Sequence, residues 1–261
     1  MPDLPPLEPA EAVPIPPPRD PVWNFWDVMM MAVIALAGMF LFGTLIGVAM
    51  SLAGKPIPTD MSPVMLRVIL GAQFLSYIVL LLFMHHLVTR QYHRPFNEAV
   101  RWIAPPPTAW PYYLLAGTAL SFAVGLLGHF LPFPPTLPID KFFQDASSAW
   151  LMTIFGITMA PLVEELFYRG FLYPVLARRL GVAVSAVITS AAFALMHSAQ
   201  LAHAWAPLFV LFLVGLALTT TRIVTRSVVP GVLMHIGYNA SLFAILYIAS
   251  DHFQHLDKAL R

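Results

Sequence analysis

Residues 147–177 read SSAWLMTIFGITMAPLVEELFYRGFLYPVLA and decide the fold. The segment is long enough to cross a bilayer, because about 20 mostly apolar residues span the hydrocarbon core. It nevertheless carries two adjacent acids, Glu164 and Glu165, and one base, Arg169, deep within it. Inserting an ionised side chain at the bilayer centre costs about 2.5–3.5 kcal/mol. Three such side chains in one span therefore need a structural or a chemical reason.

Six further apolar runs accompany this segment. They cover residues 26–50, 64–88, 111–131, 182–201, 205–222 and 228–250. The sequence therefore predicts an all-α protein, a polytopic transmembrane helix bundle with about seven spans. The composition agrees, since 10% of the 261 residues are charged and ordinary soluble proteins carry about 25%. A water-soluble surface cannot be built from so few charges.

The charge balance and the absence of cysteine exclude several classes of function. A formal net charge of +1 leaves no basic surface for nucleic acid, so we expect no nucleic-acid partner. Without cysteine there is no disulfide, no thiolate metal site and no cysteine nucleophile. Membrane lipid is the one partner that composition predicts, and the oligomeric state is not indicated.

Three regions follow from the composition. We expect residues 1–24, which have nine prolines in the first 21 positions, to form a disordered N-terminal tail, residues 25–250 the transmembrane bundle, and residues 251–261 a short C-terminal tail. The positive-inside rule favours a cytoplasmic N-terminus, because the inner loops then hold most of the basic residues. These are Arg90, Arg94, Arg101, Arg178, Arg179, Arg222 and Arg226. The outer loops hold Lys55 and Lys141, although the C-terminal tail adds two bases on that side.

The intramembrane charges have two different explanations. Glu165 and Arg169 are four residues apart on a helix and face the same way, so we predict a structural ion pair. Glu164 points about 100° further round the helix and needs another partner. A carboxylate in a partly dehydrated cavity is a candidate general base toward a water molecule. A neutral, hydrogen-bonded glutamate at a helix interface is the alternative.

Two other apolar runs carry candidate partners for Glu164. They contain the motifs Phe193-Ala-Leu-Met-His197 and His235-Ile-Gly-Tyr-Asn239. A single histidine in an apolar helix is more often an interior residue than a catalyst. Counted at about 1.5 Å per residue, however, Glu164, His197 and Asn239 all lie about 18–24 Å from the inner ends of their helices. We therefore expect a carboxylate, two imidazoles and an amide to meet, as a hydrolytic site requires.

The motifs, taken in order, resemble the signature of a known family. They are Glu164-Glu165-x-x-x-Arg169, Phe193-x-x-x-His197 and His235-x-x-x-Asn239. The set is similar to that of the CPBP intramembrane proteases, which include the type II CAAX prenyl endopeptidases and the bacteriocin-processing and self-immunity (Abi) proteins. No signature position departs from the pattern, and the resemblance covers a predicted protease core at residues 146–245. It implies an all-helical membrane endopeptidase with a cavity open to the cytoplasm. Its substrate would be a membrane-associated peptide or protein of CAAX or leader type.

Carried over to this chain, the resemblance implies that Glu164 and His197 activate water, while His235 and Asn239 bind the oxyanion. The supporting residues would be Glu165, Arg169 and Phe193. The family has also been described as metalloproteases, and Glu164, His197 and His235 would then ligate zinc with water in the fourth position. No HExxH pair is present, so a zinc site on a single helix is excluded. We favour the metal-independent glutamate mechanism.

Two other functions fit the same residues. A non-catalytic immunity or scaffold protein would keep the cavity and bind a partner. A small proton-coupled transporter would use glutamate and histidine as a proton relay. The intact candidate set favours the enzyme, because an inactive relative usually loses at least one such position. We expect an integral protein of a bacterial plasma (inner) membrane with its N-terminus in the cytoplasm.

Overall fold

The computed structural model describes residues 20–58, 62–143 and 145–254, and the predicted tails fall outside it over 1–19 and 255–261. The described chain forms helices and no β-strand. In order, the α-helices are α1 (Phe25–Leu52), α2 (Pro63–His86), α3 (Phe96–Ala99), α4 (Trp110–Gly128), α5 (Ala146–Ile157), α6 (Met159–Glu165), α7 (Tyr173–Leu180), α8 (Val182–Met196), α9 (Trp205–Thr225) and α10 (Val229–Ala249). In this part of the chain six helical segments are long and apolar enough to cross a membrane, and α8 is a shorter apolar helix. The predicted all-α bundle of about seven spans is confirmed.

The spanning helices alternate in direction, which divides their connections between two faces of the bundle. The N-terminal face holds residues 20–24, the connection from α2 to α4, and the turns after α7 and α9. There Arg101 pairs with Asp20 at 2.7 Å, and Arg178 donates a hydrogen bond to the carbonyl oxygen of Pro21 at 2.7 Å. The C-terminal face holds the connections α1–α2, α4–α5 and α8–α9 and the end of α10. All the arginines predicted for inner loops lie on the N-terminal face.

The predicted span 147–177 is not one regular helix. It consists of α5, α6, a π-helical segment (Leu166–Leu172) and α7. The break between α5 and α6 falls at Thr158, because Pro161 donates no hydrogen bond to the carbonyl group four residues earlier and its ring clashes with that group. The π-helical segment begins directly after Glu165. Such wide turns occur frequently at functional sites.

Two carbonyl groups of the π-helical segment accept hydrogen bonds from distant side chains. The fully buried Trp23 donates its indole N–H to the carbonyl oxygen of Phe171 at 3.1 Å. Arg222 donates from Nε to the carbonyl oxygen of Arg169 at 3.2 Å. An unsatisfied backbone group in hydrocarbon costs several kcal/mol. These two bonds therefore stabilise the irregular turns and join the segment before α1 to the core.

α8 is shorter than the predicted run 182–201. It ends directly before His197, whose Nδ1 lies 2.9 Å from the carbonyl oxygen of Phe193. This contact satisfies one of the four carbonyl groups that a helix end leaves free. The chain continues through a 3₁₀ turn (Ala199–Leu201) into α9. The candidate histidine therefore terminates its helix instead of lying within it.

α4 and α10 approach each other closely at two glycines. A Cβ atom at Gly117 would overlap the carbonyl oxygen of Met234, and one at Gly237 would overlap that of Leu114. Small residues permit this kind of helix contact in membranes. Because the histidine and the asparagine of the third motif stand on either side of Gly237, the same contact fixes the position of both.

Candidate active site

A cavity of about 380 Å³ contains the candidate catalytic residues. Glu164 of α6, His197 after α8, and His235 and Asn239 of α10 all line it. Most of the remaining lining is apolar and comes from α5, α9, the rest of α10 and the connections that precede α5 and follow α8. The structure thus brings together four polar side chains from three separate parts of the chain.

The predicted ion pair lies behind the wall of this cavity. Arg169 Nη1 is 2.8 Å from Glu165 Oε1, and neither side chain has exposed surface. Arg169 also donates to the carbonyl oxygen of Gly215 at 2.8 Å and to Thr219 Oγ1 at 3.2 Å. Its guanidinium lies 4.8 Å from the ring centre of Phe193. The buried cation therefore connects α6, α8 and α9 through satisfied contacts.

His235 lies between the two glutamates. Its Nδ1 is 3.1 Å from Glu165 Oε1, and its Nε2 is 4.0 Å from Glu164 Oε2. Because Arg169 holds the Glu165 carboxylate as a hydrogen-bond acceptor, we assign Nδ1 of His235 as the donor in the shorter contact. The Nε2 edge of the ring is thereby directed toward Glu164 and the cavity.

Glu164 has the separate partner that its place on the helix requires. The Tyr77 hydroxyl on α2 donates to Glu164 Oε1 at 3.5 Å, and Gln73 donates to the same hydroxyl at 3.2 Å. Gln73 also lines the cavity. Neither residue was a candidate from the sequence. The signal that points to them is a polar i,i+4 pair within the apolar run 64–88.

Phe193 forms a wall that both histidines share. Its ring centre lies 5.1 Å from that of His197 and 5.8 Å from that of His235. Since Nδ1 of the half-buried His197 contacts a backbone carbonyl, Nε2 is the ring nitrogen left for contacts in the cavity. Among the described residues no hydrogen bond joins His197 to Glu164 or to His235.

Asn239 is anchored to the end of α5. Its Nδ2 donates to the carbonyl oxygen of Gly156 at 2.6 Å. Gly156 belongs to the last turn before the break at Thr158, where carbonyl groups lack helical partners. One amide N–H fixes the side chain, and the second N–H is available to another acceptor. The helix break in the fourth span therefore has a direct role in positioning this side chain.

Residues 146–241 match a family model whose description is type II CAAX prenyl endopeptidase Rce1-like. This region is similar to the Rce1-like endopeptidases. The match includes all three motifs and confirms the resemblance to the CPBP family. No curated protein and no solved structure matches the chain.

The Rce1-like region holds all the candidate residues but not the whole cavity. It leaves α1, α2 and α4 outside the match. From α2, Gln73 lines the cavity and Tyr77 donates a hydrogen bond to Glu164. The match supports a membrane-embedded protease that acts in a lipid environment on a membrane-associated substrate.

Glu164, His197 and His235, the residues that would ligate zinc in a metalloprotease, do not form a metal site in the described structure. Within residues 20–58, 62–143 and 145–254, no group of three or more His, Asp, Glu or Cys side chains is arranged to hold a metal ion. His235 Nε2 lies 4.0 Å from Glu164 Oε2, whereas among the described residues no hydrogen bond or ion pair joins His197 to either of them.

The cavity lies toward the C-terminal face of the bundle. Leu137 and Asp140 from the α4–α5 connection and Gln200 from the α8–α9 connection contribute to its lining. The arginines that the positive-inside rule assigns to the cytoplasm lie on the N-terminal face. The sequence led us to expect that the arginine-rich face is cytoplasmic and that the cavity opens to the cytoplasm. Because the arginines and the cavity lie toward opposite faces of the bundle, these two expectations cannot both hold.

Proposed function

We propose that this chain is an intramembrane endopeptidase that hydrolyses a peptide bond of a membrane-associated peptide or protein. One observation carries the proposal: Glu164, His197, His235 and Asn239 line a single cavity in the Rce1-like region. A carboxylate beside polar hydrogen-bond donors in a mostly apolar cavity is suited to general-base hydrolysis.

In the proposed reaction, Glu164 accepts a proton from a water molecule whose oxygen attacks the carbonyl carbon of the scissile bond. His197 orients this water through Nε2. The carbonyl oxygen gains the negative charge as the tetrahedral intermediate forms. When the intermediate collapses, the C–N bond breaks and Glu164 returns the proton to the leaving nitrogen. The products are a carboxylic acid and an amine.

We propose that His235 and Asn239 stabilise the oxyanion by donating hydrogen bonds to it. Because Nδ1 of His235 donates to Glu165, Nε2 donates only when the ring carries both protons. A neutral ring would instead present a lone pair at Nε2, which is the state that a zinc ligand requires.

Cleavage of an anchored peptide tests the proposal. We expect the purified full chain in detergent to cut members of a peptide library held in the micelle by a lipid chain, with fragments identified by mass spectrometry. His197→Gln should slow cleavage by about 10²–10⁴-fold, the usual contribution of a proton-transfer group. The matched control is His203→Gln, because His203 is exposed and lies in the loop that follows His197. Equal rates for the two variants, or no cleavage by the unaltered chain, would contradict the proposal.

The same assay distinguishes the glutamate mechanism from the zinc mechanism. We expect cleavage to continue in the presence of a strong chelator. Loss of cleavage that added zinc restores would instead assign Glu164, His197 and His235 to a metal.

We also propose that the arginine-rich N-terminal face lies on the cytoplasmic side of a bacterial plasma membrane. The cavity then receives its substrate from the opposite side. The chain has no cysteine, so a single introduced cysteine reports its own location. Thr108 on the N-terminal face and Thr136 on the C-terminal face are both exposed. A membrane-impermeant maleimide applied to intact spheroplasts should label Thr136→Cys, and Thr108→Cys only after lysis. The reverse pattern would place the cavity on the cytoplasmic side.

A further inference from the structure

A second cavity, of about 450 Å³, lies on the N-terminal face and is rich in arginine. Its charged lining residues are Asp20, Arg101, Arg178, Arg222 and Arg226. Four guanidinium groups against one carboxylate leave three positive charges in excess. We call this group the arginine pocket. Along α9 it is separated from the active-site cavity, because Leu211 lines the active-site cavity and Arg222 lies 11 residues later, about 16 Å along the helix.

Arg222 distinguishes the arginine pocket from an ordinary basic loop. Only 9% of Arg222 is exposed, and its Nε donates to the backbone carbonyl oxygen of Arg169. No carboxylate of the described residues forms a salt bridge with it. A buried cation without a counter-ion is costly. Its side chain lines the pocket, and among residues 20–58, 62–143 and 145–254 no acceptor hydrogen-bonds to its two remaining nitrogen atoms.

The backbone around the arginine pocket is held in place without a ligand. Val228 donates to the carbonyl oxygen of Arg101 at 3.1 Å, while Ser227 Oγ donates to the carbonyl oxygen of Ile103 at 2.7 Å and accepts from its backbone N–H at 3.2 Å. These bonds connect the loop before α4 to the turn before α10. Two arginines from different loops are thereby fixed at one site, which reduces the ordering cost of binding.

We infer that the arginine pocket binds a phosphate group. The guanidinium fork matches the geometry of phosphate oxygens, and three excess charges suit an anion that carries one or two charges. The pocket lies at the ends of α7 and α9, which is the depth of lipid head groups for helices that span the hydrocarbon core. Its volume is within the range of small-molecule sites. The ligand is a phosphate ester from an anionic phospholipid head group or from a soluble phosphate compound.

Thermal unfolding of the purified full chain in detergent tests this inference. Phosphatidylglycerol should raise the Tm by about 3–5 °C. Diacylglycerol with the same acyl chains, which lacks the phosphate, should give no such rise. Inorganic phosphate and glycerol phosphate form the soluble arm: a rise with either identifies a soluble ligand, and a rise with phosphatidylglycerol alone identifies a lipid.

Variants separate a specific pocket from general surface charge. Arg222→Gln should abolish the rise in Tm. Arg226 is exposed, so Arg226→Gln should leave the fold intact and reduce the rise by half or more. Arg90→Gln is the matched control, since Arg90 is an exposed arginine on the same face and does not line the pocket. An equal rise with diacylglycerol, or equal effects of Arg226→Gln and Arg90→Gln, would overturn the inference.

Discussion

Replacement of Glu164 by Gln should slow peptide cleavage by about 10²–10⁴-fold and leave the fold intact. Glutamine has nearly the same size and keeps a carbonyl oxygen that accepts the hydrogen bond from Tyr77. It cannot take a proton from water. The loss should therefore appear in kcat, with little change in KM for the anchored peptide.

Glu165→Gln is the informative comparison because Glu165 is the adjacent residue and does not line the cavity. Its carboxylate is fully buried against Arg169, so the substitution removes the counter-ion of a buried cation. We expect a low yield of folded protein and a lower Tm. If Glu164→Gln is fully active while Glu165→Gln folds but is inactive, then Glu165 and not Glu164 is the general base.

Arg169→Met should lower the free energy of unfolding by about 3–5 kcal/mol. Methionine roughly fills the space of the arginine stem but leaves the Glu165 carboxylate buried without its cation. The carbonyl oxygen of Gly215 and the hydroxyl of Thr219 also lose the donors that Arg169 supplies. Denaturant or thermal unfolding in detergent measures this loss.

Two further variants show whether the unpaired charge causes this loss. Arg179→Met changes an exposed arginine of the same helical span and should leave stability almost unchanged. The double variant Arg169→Met with Glu165→Leu removes both charges and should recover part of the stability. If Arg169→Met is as harmless as Arg179→Met, the ion pair does not stabilise the fold.

Most correct predictions from the sequence came from the spacing of residues within one helix. The Glu165–Arg169 contact depends on helical geometry over four residues. It forms although Arg169 lies within the π-helical segment. The same geometry excluded Glu164 from that pair. The apolar runs predicted the helices because a bilayer imposes their length and composition.

Contacts between residues far apart in the chain could not be predicted from local spacing. Tyr77 is 87 residues from Glu164, and no local pattern indicates which tyrosine meets which carboxylate. Glycine spacing was similarly uninformative: Gly43 and Gly47 have the GxxxG spacing, yet a Cβ at Gly47 would meet nothing within 4 Å. The close approach occurs instead at Gly117 and Gly237, whose pairing depends on how α4 and α10 cross.

The length of α8 has a consequence for the surrounding bilayer. Its 15 residues extend about 22 Å, which is less than the hydrocarbon thickness of about 30 Å. Lipid beside such a short helix thins, and non-helical backbone at that depth is tolerated where it borders water or protein. The chain from His197 to Gln200 lies at this point and lines the active-site cavity at both ends. We therefore expect hydrophobic mismatch at α8 to bring water near the proposed base, where each turnover consumes one water molecule.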